Sequence, residues 1–279
     1  MALHRRLAGI HVRPAAAKAG GGGDGGLEVM GGGLVVDTER LPAGGARTHF
    51  FLAACRLRSG KVLLSCRRGK DKMGTDGNVV LLESSPGGVG PWSVICEGFQ
   101  HTWDGVRGEV RGSALAELPD GRLLAVYTWH DASDGREAFN PETPSVWFRC
   151  YSSTGGRTWA DHARLELSHP ETGLPMRRPV LAGGIVTLAD GRLAICGEAL
   201  EVEEPGPEGF GGVRAGDVVQ KAFVVLSSDE QGLSFEAPLT CARDPQDETY
   251  YWDQRVYALP SGARSRWPST DLVHAFWTQ

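Results

Sequence analysis

One short pattern recurs along the chain: an apolar stretch, a polar turn closed by Gly, and a second apolar stretch. It is found in Arg56-Leu-Arg-Ser-Gly60-Lys-Val-Leu-Leu, Glu117-Leu-Pro-Asp-Gly121-Arg-Leu-Leu, Thr187-Leu-Ala-Asp-Gly191-Arg-Leu-Ala and Ala258-Leu-Pro-Ser-Gly262-Ala. Each copy reads as a β-hairpin, because Gly accepts the positive φ of a tight turn and Asp or Ser bonds the turn backbone. The glycines lie 61, 70 and 71 residues apart, a spacing that holds about four short strands. Repeats of that size suit the blades of a β-propeller.

A second element recurs out of phase with the hairpins: Ser152-Ser-Thr154-Gly-Gly-Arg-Thr-Trp159, Ser228-Asp-Glu230-Gln-Gly-Leu-Ser-Phe235, and a worn copy from Ser85 to Trp92. Each follows an apolar strand (Val79 to Leu82, Val146 to Tyr151, Ala222 to Leu226). Ser and the residue two positions on are suited to capping the bend, Gly to making it, and the closing aromatic to packing beneath it. The 39 Gly and 16 Pro, many of them in these turns, exclude long helical bundles, while 41% hydrophobic residues leave ample material for a core.

These turns resemble the Asp box, Ser-x-Asp-x-Gly-x-Thr-Trp, of sialidases and related BNR-repeat proteins, with Thr154 and Glu230 standing at the Asp position. The resemblance covers about residues 45 to 279 and implies an all-β fold, a sialidase-like six-bladed β-propeller. Three hairpin repeats and the beginning of a fourth are recognisable, so the expectation is a domain over 27–279 incomplete at its C-terminus. Residues 1–26 are expected to be a disordered leader: Arg5, Arg6, Arg13 and Lys18 precede the first acid, Asp24, and a glycine tract follows. This leader lacks the apolar stretch of a secretory signal, which leaves the cytoplasm or, through a transit segment, an organelle.

The resemblance also implies chemistry. Sialidases hold a substrate carboxylate with arginines, use a Tyr activated by a Glu as nucleophile, and use an Asp on a loop as acid/base. Arginine suits the first task because its planar fork makes two parallel charge-assisted bonds to a carboxylate. The family's first arginine lies ten residues before a hairpin glycine, and the matching position in the second repeat is Arg111. In the other repeats it is Phe50, Leu181 and Trp252. If Arg111 marks the catalytic blade, the acid/base candidates are Asp131 and Asp134. If the first repeat is that blade, they are Asp71 and Asp76, with Arg68 nearby. The cluster Tyr250-Tyr251-Trp252-Asp253-Gln254-Arg255 reads as the start of an inner strand, where Tyr251 and Asp253 are catalytic candidates and Trp252 and Arg255 could contact a sugar. Glu198 opens a loop facing the same channel. Ordinary strand packing, solvated loop carboxylates and a blade-bridging arginine are the competing explanations.

Other chemistries find no support in the residues. The net charge of −5 offers no basic excess for nucleic acid, and no apolar run is long enough to span a membrane. The six Cys (55, 66, 96, 150, 196, 241) are scattered without metal-type spacing, so no metal and no cofactor are expected, and free buried thiols are. The expected partner is a sialoside or another acidic glycan, bound by a monomer that hydrolyses it. The rival expectation is a non-catalytic propeller that binds carbohydrate or protein.

Overall fold

The computed structural model describes residues 6–14, 27–37, 48–72, 74–88, 90–133, 135, 145–168, 176, 178–202, 218–242, 251–258 and 272–278. Among the described residues there are seventeen strands and no helix. The first sheet holds β3 (Thr48–Arg56), β4 (Val62–Gly69), β5 (Asn78–Glu83) and β6 (Ser93–Cys96). The second holds β7 (Thr102–Trp103), β8 (Val106–Glu117), β9 (Leu123–Asp131), β10 (Ser145–Ser152) and β11 (Ala160–Leu165). The third holds β12 (Pro179–Thr187), β13 (Leu193–Val202), β14 (Val218–Leu226) and β15 (Leu239–Ala242). β16 (Tyr251–Ala258) pairs with β17 (Leu272–Thr278), and β1 (Arg6–Pro14) with β2 (Leu27–Asp37).

All pairings are antiparallel, and strand order follows chain order within every sheet. The leading strands β3, β8, β12 and β16 neighbour one another across the sheets. Successive meanders set around their own leading strands are the blades of a β-propeller.

Three hairpin turns share one geometry. Leu57 N–H donates to Lys61 O at 2.9 Å and Gly60 N–H to Leu57 O at 2.9 Å; the Leu118 pair measures 2.8 and 3.0 Å, the Leu188 pair 2.8 and 3.0 Å. Gly60, Gly121 and Gly191 have φ of 82°, 89° and 87°, where a side chain would be strained. Asp120 and Asp190 each accept from the backbone N–H and side chain of the Arg two residues on. The expected turn at Gly262 lies outside the described residues.

The capped bends form where the sequence places them, with the register shifted in two of the three. Ser152 Oγ accepts from Thr154 N–H (3.2 Å) and Gly156 N–H (2.9 Å), and Thr154 Oγ1 accepts from Thr158 N–H at 2.9 Å. In the third sheet Asp229, not Glu230, makes the corresponding bonds, accepting from the backbone of Gln231 (2.8 Å), Leu233 (3.1 Å) and Ser234 (3.2 Å). This bend is one residue longer than the Ser152 bend and begins at Ser227, whose Oγ accepts from Leu193 N–H at 2.7 Å. In the first sheet Ser84, rather than Ser85, accepts from Val62 N–H at 2.9 Å.

The core lies between blades, which explains why the middle strands are apolar on both faces. Leu123, Ala125, Tyr127 and Trp129 of β9 pack with Leu63, Val79, Leu81 and Phe99 of the first blade. Their alternates, Leu124 and Val126, pack with Trp147, Leu193, Ile195, Phe223 and Val225 toward the third. Trp147 is fully buried, and a Cβ on Gly197 would stand 2.5 Å from its ring, so glycine there makes room for the indole. Latches at the rim join the blades. Arg58 bonds the Glu117 carboxylate and the carbonyls of Leu118 and Pro119, and Tyr151 Oη donates to Gln231 O and Gly232 O at 3.0 Å each.

Candidate functional site

The Gly60, Gly121 and Gly191 turns mark one end of the blades. By antiparallel pairing, the last residues of β4, β9 and β13 lie beside the first residues of β3, β8 and β12 at the other end. There, strands that are otherwise apolar carry charge. Arg67, Glu109, Arg111, Arg178 and Glu198 are all at most 4% exposed, with His130 at 1%. Burial of this much ionisable material is costly unless the charges are paired, and such clusters concentrate at functional sites.

Glu109 is the hub. Its Oε1 accepts from Arg67 Nε, and its Oε2 from Arg111 Nη2 at 3.1 Å. Arg67 Nη1 donates to Asp71 O (2.6 Å) and Nη2 to Gly74 O (2.8 Å), so every nitrogen of that guanidinium is engaged. Arg111 Nη2 also reaches Gly74 O at 3.3 Å, and its guanidinium lies 5.6 Å from the ring centre of Phe51. Phe51 has φ of 53°, a left-handed conformation unusual for a residue with a side chain, beside the irregularity that breaks β3 pairing between Phe50 and Ala53. Burial pushes Glu109 above the ordinary carboxylate range and Arg111 below the ordinary arginine range, and in each case the opposite charges next to it act against the shift.

The second half of the cluster faces the third blade. Pro179, at the mouth of β12, accepts from Ser145 Oγ (3.2 Å) and Trp147 Nε1 (3.1 Å), which pins the neighbouring Arg178 at the inner end of the sheet. Burial lowers Arg178 to about 10, so it remains cationic at neutral pH. His130 pairs across the ladder with Glu109 and with Ser145. Its ring nitrogens have no hydrogen-bond partner among the described residues. Burial, reinforced by the charges of Arg111, Arg178 and Arg67, pushes the imidazole well below its usual pKa and keeps it neutral.

The candidates named from sequence separate into groups. Arg111 sits inside this cluster, on the sixth residue of β8. Asp76 stands at its edge, 4.0 Å from Arg67 Nη2 and accepting from Lys70 N–H. Glu198 is buried on β13 next to β12. Arg68 points elsewhere, paired with Glu97 at 2.9 Å near the surface. Asp131 ends β9, where Oδ1 accepts from Ser133 N–H at 2.8 Å. Arg255 reaches the Ala182 carbonyl and so ties β16 to β12. Tyr251, Trp252 and Asp253 begin β16. Asp134 lies outside the described residues. Sequence reasoning passed over Arg67, Glu109, His130 and Arg178; the available signal was an ionisable residue inside an apolar strand, as in Val62-Leu-Leu-Ser-Cys-Arg67. Among the described residues no group of three or more His, Cys, Asp or Glu could hold a metal, and no helix is long and apolar enough to cross a membrane.

No protein-family profile matches the chain, and no curated protein matches it. Solved structures do. A Hadza microbial sialidase superimposes with a TM-score of 0.55 at 15% identity, covering 82% of this chain and 46% of that one. A protein of unknown function from Dyadobacter fermentans gives 0.54 at 17% identity, covering 83% and 62%. The α-L-arabinanase of Penicillium chrysogenum, complexed with arabinobiose, gives 0.50 at 16%, covering 85% and 61%. The chain thus spans between 46% and 62% of the length of these structures. What it shares with them is the β-propeller fold.

Proposed function

We propose that the chain forms the sugar-binding end of a propeller glycoside hydrolase acting on acidic glycans, with terminal sialosides as the leading substrate. One observation carries this reading: at one end of the blades three buried guanidiniums (Arg67, Arg111, Arg178) gather close enough for all three charges to act on the buried, neutral His130. A gathering of arginines suits the carboxylate of an acidic sugar, for which a neutral pentose has no counterpart. In this reading Arg111 and Arg178 bind the carboxylate. Asp76, Asp131 or Asp134 supplies the acid/base. Tyr251 and Asp253 serve the attacking side, with Trp252, Arg255 and Glu198 lining the sugar. The likeness of fold to a sialidase supports the reaction class.

A second reading, sugar binding without turnover, is favoured by Phe50, which occupies the first-blade position where the resemblance would place an arginine. The test is hydrolysis of a fluorogenic sialoside against an arabinofuranoside by the purified chain and by Arg111→Met, Asp76→Asn, Asp131→Asn and Tyr251→Phe. Turnover of the sialoside alone, reduced at least about 100-fold in one of the Asp variants, is the expected result. Binding of N-acetylneuraminic acid that Arg111→Met abolishes, without any turnover, would move the assignment to the second reading.

A further inference from the structure

The described residues between β4 and β5 are wound around one side chain. Arg67 donates to Asp71 O at 2.6 Å and Gly74 O at 2.8 Å while its Nε is held by Glu109 of the next blade. The backbone approaches this guanidinium from two sides: a Cβ on Gly69 would stand 2.6 Å from Nη1, and one on Gly77 2.2 Å from Nε. The segment's own carboxylates close it further, Asp71 Oδ1 accepting from Gly74 N–H at 2.6 Å and Asp76 from Lys70 N–H at 3.2 Å. Gly77 O then accepts from Val110 N–H at 3.3 Å, beside Arg111 in sequence. Both arginines converge on a single acceptor, Gly74 O.

From this arrangement we infer that Arg67 is a positioning residue, which with Glu109 fixes the described residues of the 70–77 segment so that the Asp71 carboxylate, bonded to Gly74, is held near the Arg111 guanidinium that bonds the same glycine, and the Asp76 carboxylate near Arg67. Each side-chain nitrogen of Arg67 has a protein partner and the side chain is fully buried, so it acts through the segment it holds. Lysine could not replace it, since one ammonium cannot span a carboxylate on one blade and two carbonyls on another, whereas the planar fork does. The consequence for catalysis rests on the acidic-sugar reading above; the ordering of the segment does not.

The two are tested together on the full chain, using Arg67→Lys and Gly77→Ala. The second keeps every charge but puts a methyl where the guanidinium lies. Amide hydrogen exchange of residues 70–77 is expected to accelerate at least tenfold in both variants while β9 stays protected. With the fluorogenic sialoside, kcat should fall at least tenfold with KM within threefold, and the limb of the pH profile set by the loop carboxylate should move. If Arg67→Lys loosens β9 as well, Gly77→Ala decides. Unchanged exchange over 70–77 overturns the inference, as does a loosened segment with kcat and pH profile intact. Absence of turnover by the parent chain counts against the acidic-sugar reading alone, and exchange over 70–77 then upholds or overturns the latch.

Discussion

His130 shows how one residue sets a measurable property of the whole. Its imidazole is buried and neutral in the fold but ordinary in the unfolded chain, so below about pH 6.5 the unfolded state binds a proton that the folded state refuses. Stability therefore rises with pH through that window and is lost as pH falls, by up to about 1.4 kcal/mol per unit for a single proton. Urea midpoints at pH 7.5 and 5.5 should differ markedly for the parent and much less for His130→Asn. His162, half-buried and shifted the same way, leaves a smaller residual slope. Asp229 titrates in a separate, lower window: its folded pKa is depressed, so its contribution is lost only as pH falls below the usual carboxylate value. The charged cluster was poorly legible in the sequence for a physical reason. Arg67, Glu109 and Arg178 belong to three different blades, and only pairing and closure bring them together.

Strands and turns were far more legible, because their signals are local. A Leu, a Ser or Asp two residues on and a Gly immediately after it specify a turn wherever they occur, and the three described hairpins agree to 0.1 Å in their backbone bonds. The capped bends were legible in place but not in register. Ser-Ser-Asp-Glu at 227–230 offers two carboxylates and two possible starting serines, and the choice depends on Ser227 meeting Leu193 N–H across the sheet. Asp229→Ala should accordingly cost about 1–2 kcal/mol in a chemical denaturation, the scale of a lost backbone cap, whereas Glu230→Ala, exposed and outside these bonds, should stay within about 0.5 kcal/mol.

At the scale of the molecule, stability resides between blades rather than within them. Trp147 fills the space between the second and third, so Trp147→Ala should destabilise by about 3–5 kcal/mol, seen as an earlier unfolding transition. The cysteines report on the same packing. Cys66, Cys150 and Cys196 are fully buried, and burial pushes the Cys66 and Cys196 thiols up to about 12. A thiol reagent at pH 8 should leave these three unmodified in the native chain, and all six should react in guanidinium. The rim latches have a consequence for synthesis. Arg58 finds its acceptors at 117–119, and Tyr151 finds its own at 231–232. Each blade emerging from the ribosome must therefore wait, half-finished, for some 60 to 80 further residues before its outer turn is fastened, and a translational pause placed there would expose a naked apolar face to chaperones.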